Sequence, residues 1–321
     1  MQLQQTVRKS YSFEGKGLHT GRVAKMTINP APADTGIRFR RTDIGTDAYV
    51  DVLAENVSCT ARSTTISHGG ASVSTIEHVL SALTGMGVDN ALIDIDNVEV
   101  PILDGSAKPY IEAIWKDGFE QQDAPRRYIE VNEIIEVTNE KGSVVRIEPA
   151  EEFSYDIHVD FNSRVLGKQD ARWDASVLYP EQIGTCRTFV FFHELEFLFN
   201  NGLVKGGDVD NAIVIVEHPV TEEQVERMSK IFNVPALKVR EDGYLSNLTL
   251  RFPNECARHK LLDLIGDLRL CGGFLKAKVT AVKAGHGINT EAAKMIRRSI
   301  RQVSPRASVC RNGRFECSRG F

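Results

Sequence analysis

The stretch STIEHVLSAL, residues 74–83, sets a carboxylic acid beside an imidazole at Glu77 and His78. The segment NECARHKLLDLIGDLRL sets His259 and Asp263 four residues apart. Imidazoles and a carboxylate suit Zn²⁺, and two ligands on one helix need a third from elsewhere, leaving a fourth position for water. A carboxylate beside such a centre can take a proton from water whose pKa a metal has lowered toward 7. Each feature also has an ordinary explanation. Ser74 and Glu77 fit the S/T-x-x-E capping box, and His259 with Asp263 fits an exposed i, i+4 pair worth roughly 0.3 kcal/mol.

Wheels sharpen both sides of this choice. At about 100° per residue, Ile76, Val79, Leu80, Leu83 and Met86 gather into one apolar stripe, and His78 falls opposite it, as a surface histidine or a ligand would. In the second helix Ala257, Leu261, Leu264, Ile265 and Leu268 make the apolar face; His259, Asp263, Gly266 and Asp267 share the other, with Lys260 at its edge. Gly266 costs that helix about 1 kcal/mol relative to Ala, which points to a close approach there. In AVKAGHGINTEAA, His286 stands between Gly285 and Gly287 in a strand-to-helix loop capped by Asn289 or Thr290. Exposed there, it is either a general acid or oxyanion stabiliser, or a solvent-facing turn residue.

These residues must be positioned by regular elements. Short strands separated by turn signals run from Val7 to about Ile95, interrupted by a helix over 75–86; a helix then follows Asp104-Gly105 and stops at Gly118. The polar stretch EQQDAPRR, 120–127, reads as a linker, after which strands restart and are followed by helices at about 254–270 and 290–302. This grouping predicts an α+β fold in two domains, 1–123 and 124–302. Residues 187–199, RTFVFFHELEFLF, are apolar nearly all round a wheel, as in a buried helix or one lining an apolar passage. From Arg297 to Phe321 there are seven Arg against one acid, and 303–321 reads as a disordered tail.

Bulk properties exclude several classes. With 321 residues, 42% hydrophobic and 26% charged, the chain has a globular composition, and a net charge of -4 argues against nucleic acid or an anionic membrane as the main partner. No apolar run approaches the roughly 18 residues of a membrane span, and the N-terminal stretch lacks a signal-peptide core, so no membrane anchor and a cytoplasmic location are expected. Six cysteines without a CxxC pair suggest neither a zinc ribbon nor a disulfide framework.

Taken in order, GLHTGR, RRTDIGTDA, STIEHVLSAL, GVDN, VPILDGSA, RTF, GLVKGGDVDNAIV, RHKLLDLIGDL and VKAGH run from about residue 5 to residue 300. This series resembles the UDP-3-O-acyl-N-acetylglucosamine deacetylases, the zinc amidases of bacterial lipid A biosynthesis. The resemblance implies two similar α+β domains, each a β-sheet packed on α-helices, with the active site between them. It implies Zn²⁺ on His78, His259 and Asp263, Glu77 as general base, His286 with Asp267 as acid or electrostatic stabiliser, and Thr188 at the oxyanion. It further implies substrate contacts at Lys260, Phe191, Phe161 and Lys283, and an acyl passage in an insert at 187–216. The substrate implied is UDP-3-O-[(R)-3-hydroxyacyl]-N-acetylglucosamine, an amphiphilic small molecule, acted on by a monomer. The segment 217–247 is longer than the compact linker expected of such enzymes. Two alternatives stand beside this one: a zinc amidase acting on another acylated nucleotide sugar, and a binding protein for acyl chains or UDP-sugars without turnover.

Overall fold

In Ile37–Arg41 the residues Ile37, Phe39 and Arg41 point inward and Arg38 and Arg40 outward, the two-residue period of a strand with one face on a core. The computed structural model describes residues 2–200, 205–208, 210–231, 234–235 and 237–302. Its helices are α1 (Glu77–Gly85), α2 (Lys108–Trp115), α3 (Tyr179–Gln182), α4 (Phe192–Asn200), α5 (Glu222–Ile231), α6 (Glu255–Leu268) and α7 (His286–Gln302).

The two halves of the chain repeat one topology. The first builds a five-stranded sheet from Tyr11–Lys16, Val23–Pro30, Ile37–Arg41, Tyr49–Asp51 and Ala91–Ile95. The last of these enters the middle, pairing antiparallel with the second strand and parallel with the third. The second half repeats the arrangement with Ile135–Thr138, Val144–Pro149, Ser154–Asp160, Lys168–Asp174 and Phe274–Val282, the last again lying antiparallel to the second and parallel to the third. A short extra strand, Tyr128–Glu130, adds to the second sheet. In both halves the segment between the fourth and fifth strands holds an insertion and then a helix, α1 in the first and α6 in the second. The first insertion is a three-stranded sheet, Val57–Cys59, Thr65–His68 and Ala71–Ser74. The second carries α3, α4, α5 and a parallel pair of strands, Phe189–Phe191 with Ile213–Ile215. The expected two-part α+β architecture is therefore present, as a repeat of strand order that residue identities conceal.

One continuous apolar core runs through both halves and includes Val79, Leu80 and Leu83 of α1 with Leu261, Leu264 and Ile265 of α6. These two helices pack on each other, and α6 also packs on Ser154–Asp160, Lys168–Asp174 and α7. Every residue of α1 from Glu77 to Thr84 is buried, so the helix is enclosed on its polar side as well as its apolar one. The close approach expected at Gly266 is real: a Cβ there would stand 2.1 Å from the Glu77 carbonyl oxygen.

Four local expectations change. The polar stretch from 120 is a strand, Phe119–Pro125, antiparallel to Leu3–Val7, and its Gln122 is bonded to Asn90 and the Ala31 carbonyl rather than to solvent. The Phe-rich segment is a strand before it is a helix, because Phe189–Phe191 finds a parallel partner, and an apolar run of this length does not distinguish the two states. The last helix begins at His286, four residues earlier than its glycines suggested. Ser74 ends a strand, Ile76 is the α1 N-cap without a side-chain cap, and Glu77 is the first helical residue, so no capping box forms. The segment 217–247 holds α5, whose Val225 and Met228 join a small apolar cluster with Phe192 and Leu195 of α4. The tail from 303 to 321 lies outside the described residues.

Gly266→Ala must separate α1 from α6. We expect a loss of about 1–3 kcal/mol in folding stability, the usual cost of overpacking, measured by urea unfolding with the parent chain as reference.

Candidate metal centre and acid–base set

Helix α1 contributes Glu77 and His78, α6 contributes His259, Asp263 and Asp267, and the first residue of α7 is His286. Their polar atoms form two groups, each with its atoms within 4.8 Å of one another: His78, His259 and Asp263, then Glu77, Asp267 and His286. The ordinary explanations for these residues fail on burial. His78 is 6% exposed, and His259 and Asp263 are each 2% exposed, so neither a surface histidine nor a solvated ion pair describes them.

In the first group His78 Nε2 is 3.7 Å and His259 Nε2 3.5 Å from Asp263 Oδ1. These separations are too long for hydrogen bonds. Ligand atoms about 2.0–2.1 Å from a tetrahedral ion stand roughly 3.4 Å apart. Asp263 Oδ1 is buried without a hydrogen-bond donor, an expensive state for a carboxylate oxygen unless a cation meets it. Its other oxygen accepts from Lys260 Nζ at 2.9 Å. His259 Nδ1 lies 3.1 Å from the Cys186 carbonyl oxygen, to which it can only donate, and that bond fixes the tautomer with Nε2 free as a ligand. Burial first, then His259, pushes His78 down to about 3, and burial holds His259 below its ordinary value. Burial opposes the charge on Asp263, but Lys260 and His259 outweigh it and keep that carboxyl below its usual range. Two neutral imidazoles and one ionised carboxylate result. They form a donor set that fits a divalent metal ion.

The second group is joined by hydrogen bonds. Asp267 Oδ2 accepts from His286 Nδ1 and Asn289 Nδ2, both at 2.9 Å, and Oδ1 accepts from Thr64 Oγ1 at 2.6 Å. Glu77 Oε2 accepts from the Thr64 N–H at 3.0 Å, and its Oε1 is 3.9 Å from His286 Nε2. Burial is the main cause that raises Glu77 to about 7, with Asp267 and Asp263 adding to it and His286 opposing. Burial also works against a charge on His286, but Asp267 and Glu77 overcome it and raise the imidazole to about 9. The expectation of a freely exposed His286 is corrected: its side chain is 10% exposed, because the helix starts at this residue and holds it against α6. At neutral pH the site thus holds a carboxyl near its midpoint beside an imidazolium, a pair able to accept and return a proton.

The other residues singled out in the sequence fall around this centre. Thr188 is half-buried and lies on a cavity of about 590 Å³ whose wall includes Phe189, Leu195, Phe197, Leu198 and Val214. The Phe189 ring is 6.4 Å from the His259 ring and 5.7 Å from Lys260 Nζ, so the cavity wall reaches the first group. Phe191 does not line that cavity; its ring meets Phe161 at 6.0 Å, and Phe161 meets Phe189 at 5.4 Å. Lys283 follows Phe274–Val282 and Phe161 follows Ser154–Asp160, and because those strands are parallel both residues leave the same end of the sheet. Lys283 Nζ is 3.8 Å from Asp160 Oδ2, and its side chain is half-exposed. Sequence reasoning missed Thr64, Asn289 and the Cys186 carbonyl. A Ser-Thr-Thr run and a backbone oxygen carry no signal of their own; Asn289 was read only as a helix cap. A second cleft, about 620 Å³ between Arg38, Asp51, Arg127 and Arg269, shares no residue with this centre.

A repeated α+β fold whose two equivalent helices converge on buried histidines and carboxylates is a frame for metal-dependent hydrolysis. The family model described as UDP-3-O-acyl N-acetylglycosamine deacetylase matches residues 4–232 and 233–298. The chain is 42% identical to the bifunctional enzyme LpxC/FabZ of Porphyromonas gingivalis over 96% of its own length and 67% of that protein's. It is 39% and 37% identical to the UDP-3-O-acyl-N-acetylglucosamine deacetylases of Anaeromyxobacter sp. and Teredinibacter turnerae, in each case over 91% of its length, which covers 88% and 89% of theirs. The chain belongs to the UDP-3-O-acyl N-acetylglycosamine deacetylase family. Among the described residues no helix is long and apolar enough to cross a membrane.

The raised value of His286 fixes a sign for its effect on stability. A group raised from 6.5 to about 9 contributes stability that is fully present below 6.5 and is lost as pH rises through 9. The stability difference between the parent and His286→Gln should therefore fall by roughly 1–3 kcal/mol across that window, read from denaturant unfolding at a series of pH values. A flat difference would remove the imidazolium–Asp267 pair.

Proposed function

We propose that this chain hydrolyses the N-acetyl group of UDP-3-O-[(R)-3-hydroxyacyl]-N-acetylglucosamine to acetate and the free amine, a step of lipid A biosynthesis, using Zn²⁺ held by His78, His259 and Asp263. The observation that carries this reading is the adjacency of the two buried groups: Glu77 precedes His78 on α1, and Asp267 follows Asp263 by one turn of α6. Names of relatives supply the substrate class. Zn²⁺ at this place would supply Lewis acidity, polarising the acetyl carbonyl and easing deprotonation of water.

The chain's own residues do the rest. Glu77, held at Oε2 by the Thr64 N–H, keeps Oε1 toward His286 and takes a proton from the attacking water. Its raised pKa makes it a base that can later give that proton back near neutral pH. The water oxygen forms its bond to the acetyl carbon, the C–N bond breaks, and the amine nitrogen receives the proton from Glu77 or from His286. Asp267 holds Nδ1 of His286 and so directs Nε2–H into the site. The Thr188 hydroxyl, on the cavity wall beside Phe189, stabilises the oxyanion. Lys260 and the Phe161–Phe189–Phe191 cluster meet the substrate, with Lys283 toward its nucleotide end and the cavity beyond Thr188 holding the acyl chain. The reading is of a cytoplasmic monomer.

Metal analysis and acetate release on this substrate test the reading. We expect about one zinc per chain; Glu77→Gln should keep the metal and lose on the order of 10²–10⁴ in kcat, while His78→Ala should lose both. A zinc-loaded parent without turnover would move the substrate to another acylated nucleotide sugar.

A further inference from the structure

Thr64 is fully buried, immediately before the strand Thr65–His68, and touches both carboxylates of the acid–base set. Its backbone N–H donates to Glu77 Oε2 at 3.0 Å and its hydroxyl donates to Asp267 Oδ1 at 2.6 Å. Those carboxylates belong to different halves of the chain, Glu77 on α1 and Asp267 on α6. Asp267 uses its other oxygen for His286 and Asn289. The hydroxyl therefore meets the oxygen that neither of them reaches, and it fixes the rotation of the carboxylate that aims His286.

We propose that Thr64 is a positioning residue for the acid–base set, its N–H and hydroxyl holding Glu77 and Asp267 in one fixed relation across the two halves of the fold. The inference rests on the reading of Glu77 and His286 as base and acid. It differs from a packing role in what the hydroxyl controls. When the hydroxyl is removed, Oδ1 stays buried with no donor, and the carboxylate charge is met by His286 and Asn289 alone. A carboxylate with fewer hydrogen bonds holds a proton-bearing partner more tightly. The charged or titratable groups facing His286 are Asp267 and Asp263 of α6 and Glu77 and His78 of α1, and of these the Thr64 hydroxyl bonds Asp267.

The test compares Thr64→Val and Thr64→Ser in the metal-loaded full chain. Acetate release gives kcat and KM, and histidine side-chain NMR gives the His286 titration without substrate. In Thr64→Val we expect kcat to fall roughly 10- to 100-fold with KM within about twofold, as for a small misplacement of reacting groups, and the His286 midpoint to move to higher pH. Thr64→Ser should restore both. If Thr64→Val does not fold, Thr64→Ala removes the same hydroxyl without the branched methyl. Equal losses in the Val and Ser variants, or a kcat loss with an unmoved His286 titration, would assign Thr64 to packing and overturn the proposal. A parent chain without deacetylase turnover would instead defeat the proposed function, and the NMR comparison would still decide whether Thr64 sets the His286–Asp267 pair.

Discussion

The structure depends on keeping six ionisable groups out of water where α1 crosses α6. Each buried charge costs several kcal/mol unless a partner and hydrogen bonds meet it. The fold provides partners unevenly. Asp267 has three donors, and Asp263 has Lys260 on one oxygen and none on the other. Glu77 has a single backbone donor and is driven toward neutrality. Where satisfaction is complete, the group orients a neighbour; where it is incomplete, the group is left for a cation or a proton. The proposed chemistry therefore falls on the deficits, and the well-bonded residues keep those deficits in place.

This crossing is available because the fold is a repeat. Helices α1 and α6 occupy the same place in their halves, after the fourth strand and an insertion and before the strand that enters the middle of the sheet. Packing equivalent helices against each other lets one half present Glu77 and His78 while the other presents His259, Asp263 and Asp267. Gly266 sets how near they come, since any side chain there would displace the Glu77 carbonyl. Interchanging residues between the halves would not regenerate the site, because the two helices carry different chemistry on equivalent backbones.

The chemistry was more legible in the sequence than the geometry that supports it. An i, i+4 His–Asp pair and a glycine on the polar face of α6 specify what can be bound and how closely a neighbour can approach, so a close packing partner was expected at Gly266. The capping box that Ser74 and Glu77 match does not form because a helix start depends on backbone angles: Thr75 adopts a φ of 59°, which delays the helix past the residues that match the capping pattern. His286 was taken for a loop residue since glycine on both sides reads as a break, whereas the packing of α7 on α6 and on the second sheet continues the helix through it. Phe189–Phe191 became a strand because Ile213–Ile215 lay within reach, a tertiary fact that no local pattern contains. The strand order common to both halves survives in topology and not in residue identities.

The insertion between the fourth strand and α6 is tied to the His259–Asp263 end of the site as well as to the cavity. Arg187 and Glu255 form a buried pair in which the guanidinium and the Arg187 N–H both reach the Glu255 carboxylate, and the same carboxylate accepts from the Arg251 N–H. Glu255 opens α6 one turn before His259. Immediately upstream of Arg187, the Cys186 carbonyl fixes the His259 tautomer; immediately downstream, Thr188 and Phe189 begin the cavity wall. Four consecutive residues thus orient His259, clamp the helix that carries His259 and Asp263, and start the apolar cavity. Beyond Phe189, α4 and α5 meet in a small apolar cluster of their own, through Phe192, Leu195, Val225 and Met228.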